Sequence, residues 1–335
     1  MPADRLNPSA PLDQTLAAVQ DVLAGASPNT AAARAGLDPA DLAAAVAAYR
    51  QAGQHALAQQ MRVPTWRQLY IQFTDWAEAE QTAAGLVPVL DLAEHDGLIT
   101  GWWFIRKHPC WRMRLLLPDG KQIPPAIPAA LDELTADGRA ERWWPGVYEP
   151  ETAAFGGDTS MAIAHTLFHA DSRAILTTPH GDLGRRERSL LLCATLMRAA
   201  ELEWYEQGDV WHRVARERPL PPNVPPAKIH SMTADLRPLL LADTSPAGVM
   251  LQSDLTLKPA TDWVHAFRRA GRDLGVANSA GALDRGLRHV VAYHVIFHWN
   301  RMGLPPHTQS ILAHATKAAI LQPDLGPDAS ERLAP

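Results

Sequence analysis

The stretch from Trp66 to Leu117 constrains the fold more than any other part of the chain. RQLYIQF alternates, with Leu69, Ile71 and Phe73 on one face and Gln68, Tyr70 and Gln72 on the other, which is the period of a half-buried strand. A helical pattern follows from about Trp76 to His95 and closes near Gly97. GWWFIRK and WRMRLLL then read as two strands joined by a turn around His108-Pro109. A strand, a helix and an antiparallel hairpin predict an α+β fold, a ferredoxin-like antiparallel sheet sandwich. Pro118 to Pro128 reads as a proline-rich loop, and ERWWPGVYEP as an edge strand. The segments 158–176, 185–214, 260–275 and 281–302 predict extensive helices beside the sheet. PLPPNVPP (219–226) is too proline-dense for either regular element and reads as a connector or polyproline arm.

Ahead of the sheet, residues 13–60 are Ala-rich with helical spacing. Leu16, Val19 and Leu23 form one stripe, and Leu42, Val46 and Tyr49 another. Gly25 ends the first helix, and Asp38-Pro-Ala-Asp opens the last with a cap and an early Pro. The segment resembles a helix-turn-helix, but Arg5, Arg34 and Arg50 face five Asp in this region, the wrong sign for a DNA reader. A small helical bundle that packs on the main domain or grips a peptide fits better. The expected division is therefore an N-terminal helical extension over 1–62, a catalytic domain over 63–322 and a frayed tail over 323–335.

The net charge of −5, from 31 Lys+Arg against 36 Asp+Glu, argues against a nucleic-acid partner. Two cysteines, Cys110 and Cys193, are too few for a disulfide scaffold or a four-thiolate zinc site. No apolar run approaches about 18 residues, and MPADRLNPSAPLDQ lacks the order of a signal peptide. A cytoplasmic location away from membranes is the expectation. A Gly-rich phosphate loop, a GxSxG elbow and a CxxC pair are all missing from the sequence, which lowers nucleotide-dependent and hydrolase readings.

Half of the aromatic residues are Trp (11 Trp against 5 Tyr and 6 Phe). They suit either the walls of a ring-binding groove or a Trp-rich sheet core. Arg112 and Arg114, two apart on a strand, share one face. They read equally as a fork for carboxylates and polarised carbonyls or as a solvated face stacked on Trp. On a helix through GLRHVVAYHVIFHWNRMGL (286–304), His289, Tyr293, Phe297 and Asn300 line one side. His294 and His298 have the spacing of a metal-ligand pair. The Glu of HExxH is missing, however, and no third ligand is obvious, so no metal is expected. TLFHADSRAIL (166–176) gathers His169, Asp171, Ser172 and Arg173, but adjacent helical positions point apart, against a triad. EWYEQGDVWHRV (203–214) holds Glu203, Glu206 and Asp209, an acid/base pair or an exposed acidic face.

Four segments in order, WWFIRKHPCWRMR (102–114), YEPETAAFGG (148–157), LFHADS (167–172) and FHWNRMGL (297–304), resemble the thiopeptide-type bacteriocin biosynthesis family. That family is related to the elimination domain of lantibiotic dehydratases. The resemblance runs from about Trp66 to Leu304. It implies a sandwich-like α+β fold and a precursor-peptide substrate, leader plus azole- and dehydroalanine-containing core. Eliminating members expel glutamate from glutamylated Ser/Thr with hairpin arginines, an Arg of E-x-x-R-Y-G-G and a late-helix His. Arg112 and Arg114 match the hairpin, and His298 with Asn300 and Arg301 matches the late segment. The third cation is replaced by Ala154. Its loss removes several kcal/mol of charge stabilisation, on the order of an oxyanion donor.

The chain looks closer to stand-alone thiopeptide pyridine synthases, which join two dehydroalanines in a formal [4+2] aza-cycloaddition. Water and leader peptide are then lost, and no cofactor is implied. On this reading the candidate catalytic residues are Tyr293, His298, Arg112 and Arg114. Asn300, Arg301, Trp102, Trp111, Tyr70, Gln72, Phe155 and Glu203 are candidate substrate contacts, and the N-terminal helices a candidate leader contact. The alternatives are a split glutamate eliminase and a non-catalytic partner that binds the leader peptide.

Overall fold

The computed structural model describes residues 12–61, 66–118, 120–179, 183–248 and 257–322. The chain divides into two compact units, Met1–Thr65 and Trp66–Pro335. The first is helical: α1 (Leu12–Leu23), α2 (Pro28–Ala35) and α3 (Pro39–Met61). Ser27 caps α2 by accepting from the Thr30 N–H at 3.1 Å. Asp38 accepts from the N–H groups of Ala40 and Asp41 ahead of α3. Its core is Ala18, Val19, Val22, Ala31, Ala32, Leu42, Ala45 and Val46. The stripe expected on α1 is shifted. Leu16 and Leu23 are exposed, as is Tyr49 of α3, because small Ala side chains let the helices approach where larger residues were expected.

The second unit runs β1 (Trp66–Phe73), α4 (Ala79–Ala84), α5 (Val87–His95), β2 (Gly101–Lys107), β3 (Cys110–Leu116), α6 (Ala126–Ala136) and β4 (Ala140–Gly146). The sheet order is β2-β3-β1-β4, with every pair antiparallel, the order of the expected ferredoxin-like α+β sandwich. Its core face carries Leu69, Ile71, Phe73, Trp102, Phe104, Trp111, Met113 and Leu115. The opposite face carries cross-strand rows, Trp103–Arg114–Gln68–Gly146 and Ile105–Arg112–Tyr70–Trp144.

The remaining helices are α7 (Asp158–Thr177), α8 (Arg185–Ala199), α9 (Trp204–Glu217), α10 (Pro226–Leu241), α11 (Thr261–Ser279), α12 (Leu287–Arg301) and α13 (Pro306–Leu321). Several boundaries differ from expectation. The 76–95 helix is broken before α5, where Pro88 has no N–H to continue the ladder. The 185–214 helix is interrupted at Glu201, which has φ 60°. The proline-rich loop ends at α6, and the proline connector at α10, because proline is tolerated in a first helical turn. Residues 323–335, the expected frayed tail, lie outside the described residues. No described helix is long and apolar enough to cross a membrane.

Candidate functional site

The face of the sheet that carries Arg112 and Arg114 is lined by rings and cations in turn. Arg114 is 2% exposed, with its guanidinium 4.1 Å from the Trp103 ring centre and 4.6 Å from that of Tyr148. Its Nε and one terminal nitrogen have no hydrogen-bond partner among the described residues. Burial brings its pKa down to about 10, so it stays charged at neutral pH. Arg112, half-buried, lies over Tyr70 at 5.5 Å. Tyr70 stacks on Trp144 at 5.1 Å, and Arg142 lies 4.8 Å over Trp144. Gly146 makes this possible, because a Cβ there would fall 2.3 Å from the Tyr70 ring. The solvated-face reading therefore fails for Arg114.

Beside Arg114 is a pair that the sequence reading did not single out. The Tyr148 hydroxyl lies 2.8 Å from His165 Nε2, and Trp66 lies over the His165 ring at 4.6 Å. Burial, and then the charge of Arg114, hold His165 at about 4. A neutral imidazole leaves Nε2 free to accept the phenol proton, and burial raises the Tyr148 pKa. Tyr148 lies inside YEPETAAFGG, so its segment was legible; His165, on an apolar helix, has no local signal.

From Tyr148 and Trp103 the aromatic cluster continues through Phe155, Met161 and Phe168, with Ala154, Tyr293 and Phe297 packed against it. Gly156 and Gly157 have φ 80° and 99° and press on Val290 and Asp284. That close approach places Phe155 against Tyr293, His294 and Phe297. Tyr293 is half-buried, with the Arg285 guanidinium 5.1 Å over its ring. Arg112, Arg114, Tyr70, Phe155 and Tyr293 therefore border one sheet face and the aromatic cluster beside it.

The other candidates lie elsewhere. Trp102 and Trp111 are buried in the main core, on the sheet face opposite Arg112 and Arg114, so there the Trp-rich core reading holds over the groove reading. His298 and Arg301 are fully buried around Asp171 of α7. The carboxylate accepts from His298 Nδ1 at 3.0 Å, Arg301 Nε at 2.7 Å and Trp263 Nε1 at 2.8 Å. Burial alone would raise the Asp171 pKa, but His298 and Arg301 hold it below the ordinary carboxylate range.

Asn300 and Arg301, expected as substrate contacts, have partners of their own. Arg301 donates from Nε to Asp171 and lies over Phe168, its two terminal nitrogens having no hydrogen-bond partner among the described residues, and Asn300 accepts from Gln309 of α13. Glu203 is exposed and caps α9, its N–H donating to Glu206. Gln72 is half-buried and bonded to Glu141 and Arg142. His289 meets Arg213 rather than Tyr293. Among the described residues no cluster of three or more His, Cys, Asp or Glu could hold a metal ion.

The family model for the lantibiotic biosynthesis dehydratase C-terminal region matches residues 66–320. Among solved structures, the tRNA-dependent lantibiotic dehydratase MibB from Microbispora sp. 107891 is similar at 20% identity and a TM-score of 0.60. The likeness covers 81% of this chain and 29% of that one. TsrL is similar at 16% identity and a TM-score of 0.54, covering 76% of this chain and 93% of that one. At these identities the likeness is one of fold, and this chain spans under a third of MibB. No curated protein sequence matches the chain.

Proposed function

As this chain belongs to the lantibiotic biosynthesis dehydratase C-terminal family, we propose that it is a pyridine synthase acting on a ribosomally made peptide. The reaction joins two dehydroalanines of one precursor. The amide preceding the first becomes its iminol tautomer, and the resulting azadiene adds across the second alkene. The ring then loses water, and the leader peptide departs as an amide, which leaves a pyridine inside a macrocycle.

The observation that carries this reading is Ala154 packed against the aromatic cluster, at the position where eliminating members carry a cation. An apolar wall there does not steady a departing glutamate carboxylate, whereas it does shield ring surfaces from water. Holding two alkenes together is chiefly an entropic task, worth roughly 7–11 kcal/mol when the geometry is right. Trp66, Trp103, Phe155 and Phe297 supply the walls. Arg114, charged and with two of its nitrogens lacking hydrogen-bond partners among the described residues, polarises an amide carbonyl. Tyr293 supplies a proton at its hydroxyl, and the Tyr148–His165 pair a second donor and acceptor. His298, fully buried on Asp171, is a positioning residue that holds α12, the helix that carries Tyr293.

The test is mass spectrometry of the purified protein with an azole-bearing, dehydroalanine-containing precursor. A ring-closed core and a freed leader amide are expected, with turnover reduced roughly a hundredfold by Tyr293→Phe or Arg114→Gln. Glutamate loss from a glutamylated precursor, with the leader retained, would instead establish the eliminase, which the retained Arg112 and Arg114 favour. Binding without any change of mass would establish a non-catalytic partner.

A further inference from the structure

A second cleft, of about 270 Å³, opens between the C-terminal end of α7 and the start of α8. Its walls include Ile175, Leu183, Trp263 and Met302, together with Arg185 and Arg188. Ile175 is ten residues beyond His165 on α7, about 15 Å along the helix, so the cleft is separate from the aromatic site.

The two arginines differ in what they already hold. Arg185 is matched: it binds both oxygens of Glu80 and donates to the Met302 carbonyl at 2.6 Å. Arg188 is 7% exposed, its Nε has no partner among the described residues, and its one hydrogen bond is a long 3.4 Å contact to the Leu183 carbonyl. No carboxylate is among the described residues of the lining. The Glu187 carboxylate lies over Gly184, at the start of α8, where a Cβ would fall 2.2 Å from it. The helix terminus thus already has its anion, and Arg188 has no counter-charge among the described residues. A buried guanidinium with no counter-charge is costly, and a cleft beside it with apolar walls is shaped for a ligand that supplies one.

We infer that this cleft binds an organic carboxylate carried on an apolar or aromatic body, with the carboxylate on Arg188 and the body against Ile175, Trp263 and Met302. Two sources share that chemistry, a free small acid and the C-terminal carboxylate of a peptide. The inference does not depend on the pyridine-forming reaction.

The test is fluorine NMR of the full chain with three probes: 4-fluorobenzoate, N-acetyl-4-fluorophenylalanine as a peptide-end mimic, and neutral 4-fluorobenzyl alcohol. Saturable binding of at least one carboxylate and none of the alcohol is expected. Binding of the benzoate alone identifies a free acid, and binding of the acetylated amino acid a peptide end. Arg188→Gln weakens binding at least tenfold, Arg188→Lys restores part of it, and the exposed neighbour Arg186→Gln leaves it unchanged. Ile175→Phe, which fills the cleft and keeps both arginines, abolishes binding and decides the matter should Arg188→Gln fail to fold. Equal binding of the alcohol, no saturable binding, or indifference to Ile175→Phe would overturn the inference.

Discussion

His294 is 1% exposed, neither of its ring nitrogens has a hydrogen-bond partner among the described residues, and burial with the charge of Arg301 holds it at about 3. An unfolded chain takes up a proton on this residue near pH 6.5, whereas the folded one refuses it until about pH 3. The unfolded state therefore binds more protons across that window, and stability falls as the pH drops through it. The slope is roughly 1.4 kcal/mol per pH unit for such a group. His165, held at about 4, acts in the same direction from pH 6.5 downward, with a smaller effect because it is half-buried. Urea melts between pH 7 and pH 4 are expected to show the decline. His294→Leu should flatten the curve by about one proton's worth, and an unchanged slope would remove His294 as its source.

Two elements depend on contacts between residues far apart in sequence. β2 is an edge strand, and its outward backbone groups meet α7: His169 Nδ1 lies 2.7 Å from the Trp102 carbonyl and 3.1 Å from its N–H, and Phe104 donates to Ser172 Oγ at 3.1 Å. LFHADS is thus read correctly as a helix, while its chemistry is that of closing a sheet edge and holding a buried carboxylate. The AFGG loop is the second case. Gly157 has φ 99° and ψ 175°, a region open to glycine alone, and a Cβ there would fall 2.5 Å from Asp284. Gly157→Ala is expected to cost about 1–3 kcal/mol in a thermal melt. It should also displace Phe155 and lower turnover more than stability, since the loop sets the wall next to Tyr293. A variant with full turnover would show that this wall is not needed.

At the scale of the whole molecule, each of the two units has its own core: small Ala and Val contacts in the first, and the sheet with its helices in the second. A chain beginning at Trp66 is accordingly expected to keep a cooperative melt and the far-ultraviolet spectrum of an α+β protein. Loss of the transition would show that the sheet needs the helices ahead of it. Leader binding by those helices remains a proposal, measured by comparing precursor affinity for the two chains.

Alternation along 66–117 determined the strands, the hairpin and the faces of Leu69, Ile71, Phe73, Arg112 and Arg114, because side chains on a strand change sides at every residue. Helix existence was legible wherever the apolar period was long. α10 and α13 were not, because the prolines that open them look like breakers. Motif order pointed to the family, and Tyr293 and Phe155 to the aromatic cluster. Tertiary structure alone decided which polar residues meet. Asp171 joins His298 and Arg301 across 127 and 130 positions, and His165 reaches Tyr148 across 17. It also decided that Trp102 faces the core while Trp103 lies under Arg114. Periodicity assigns a residue to a face of its own element, but which element covers that face depends on packing between distant segments, on which local spacing is silent.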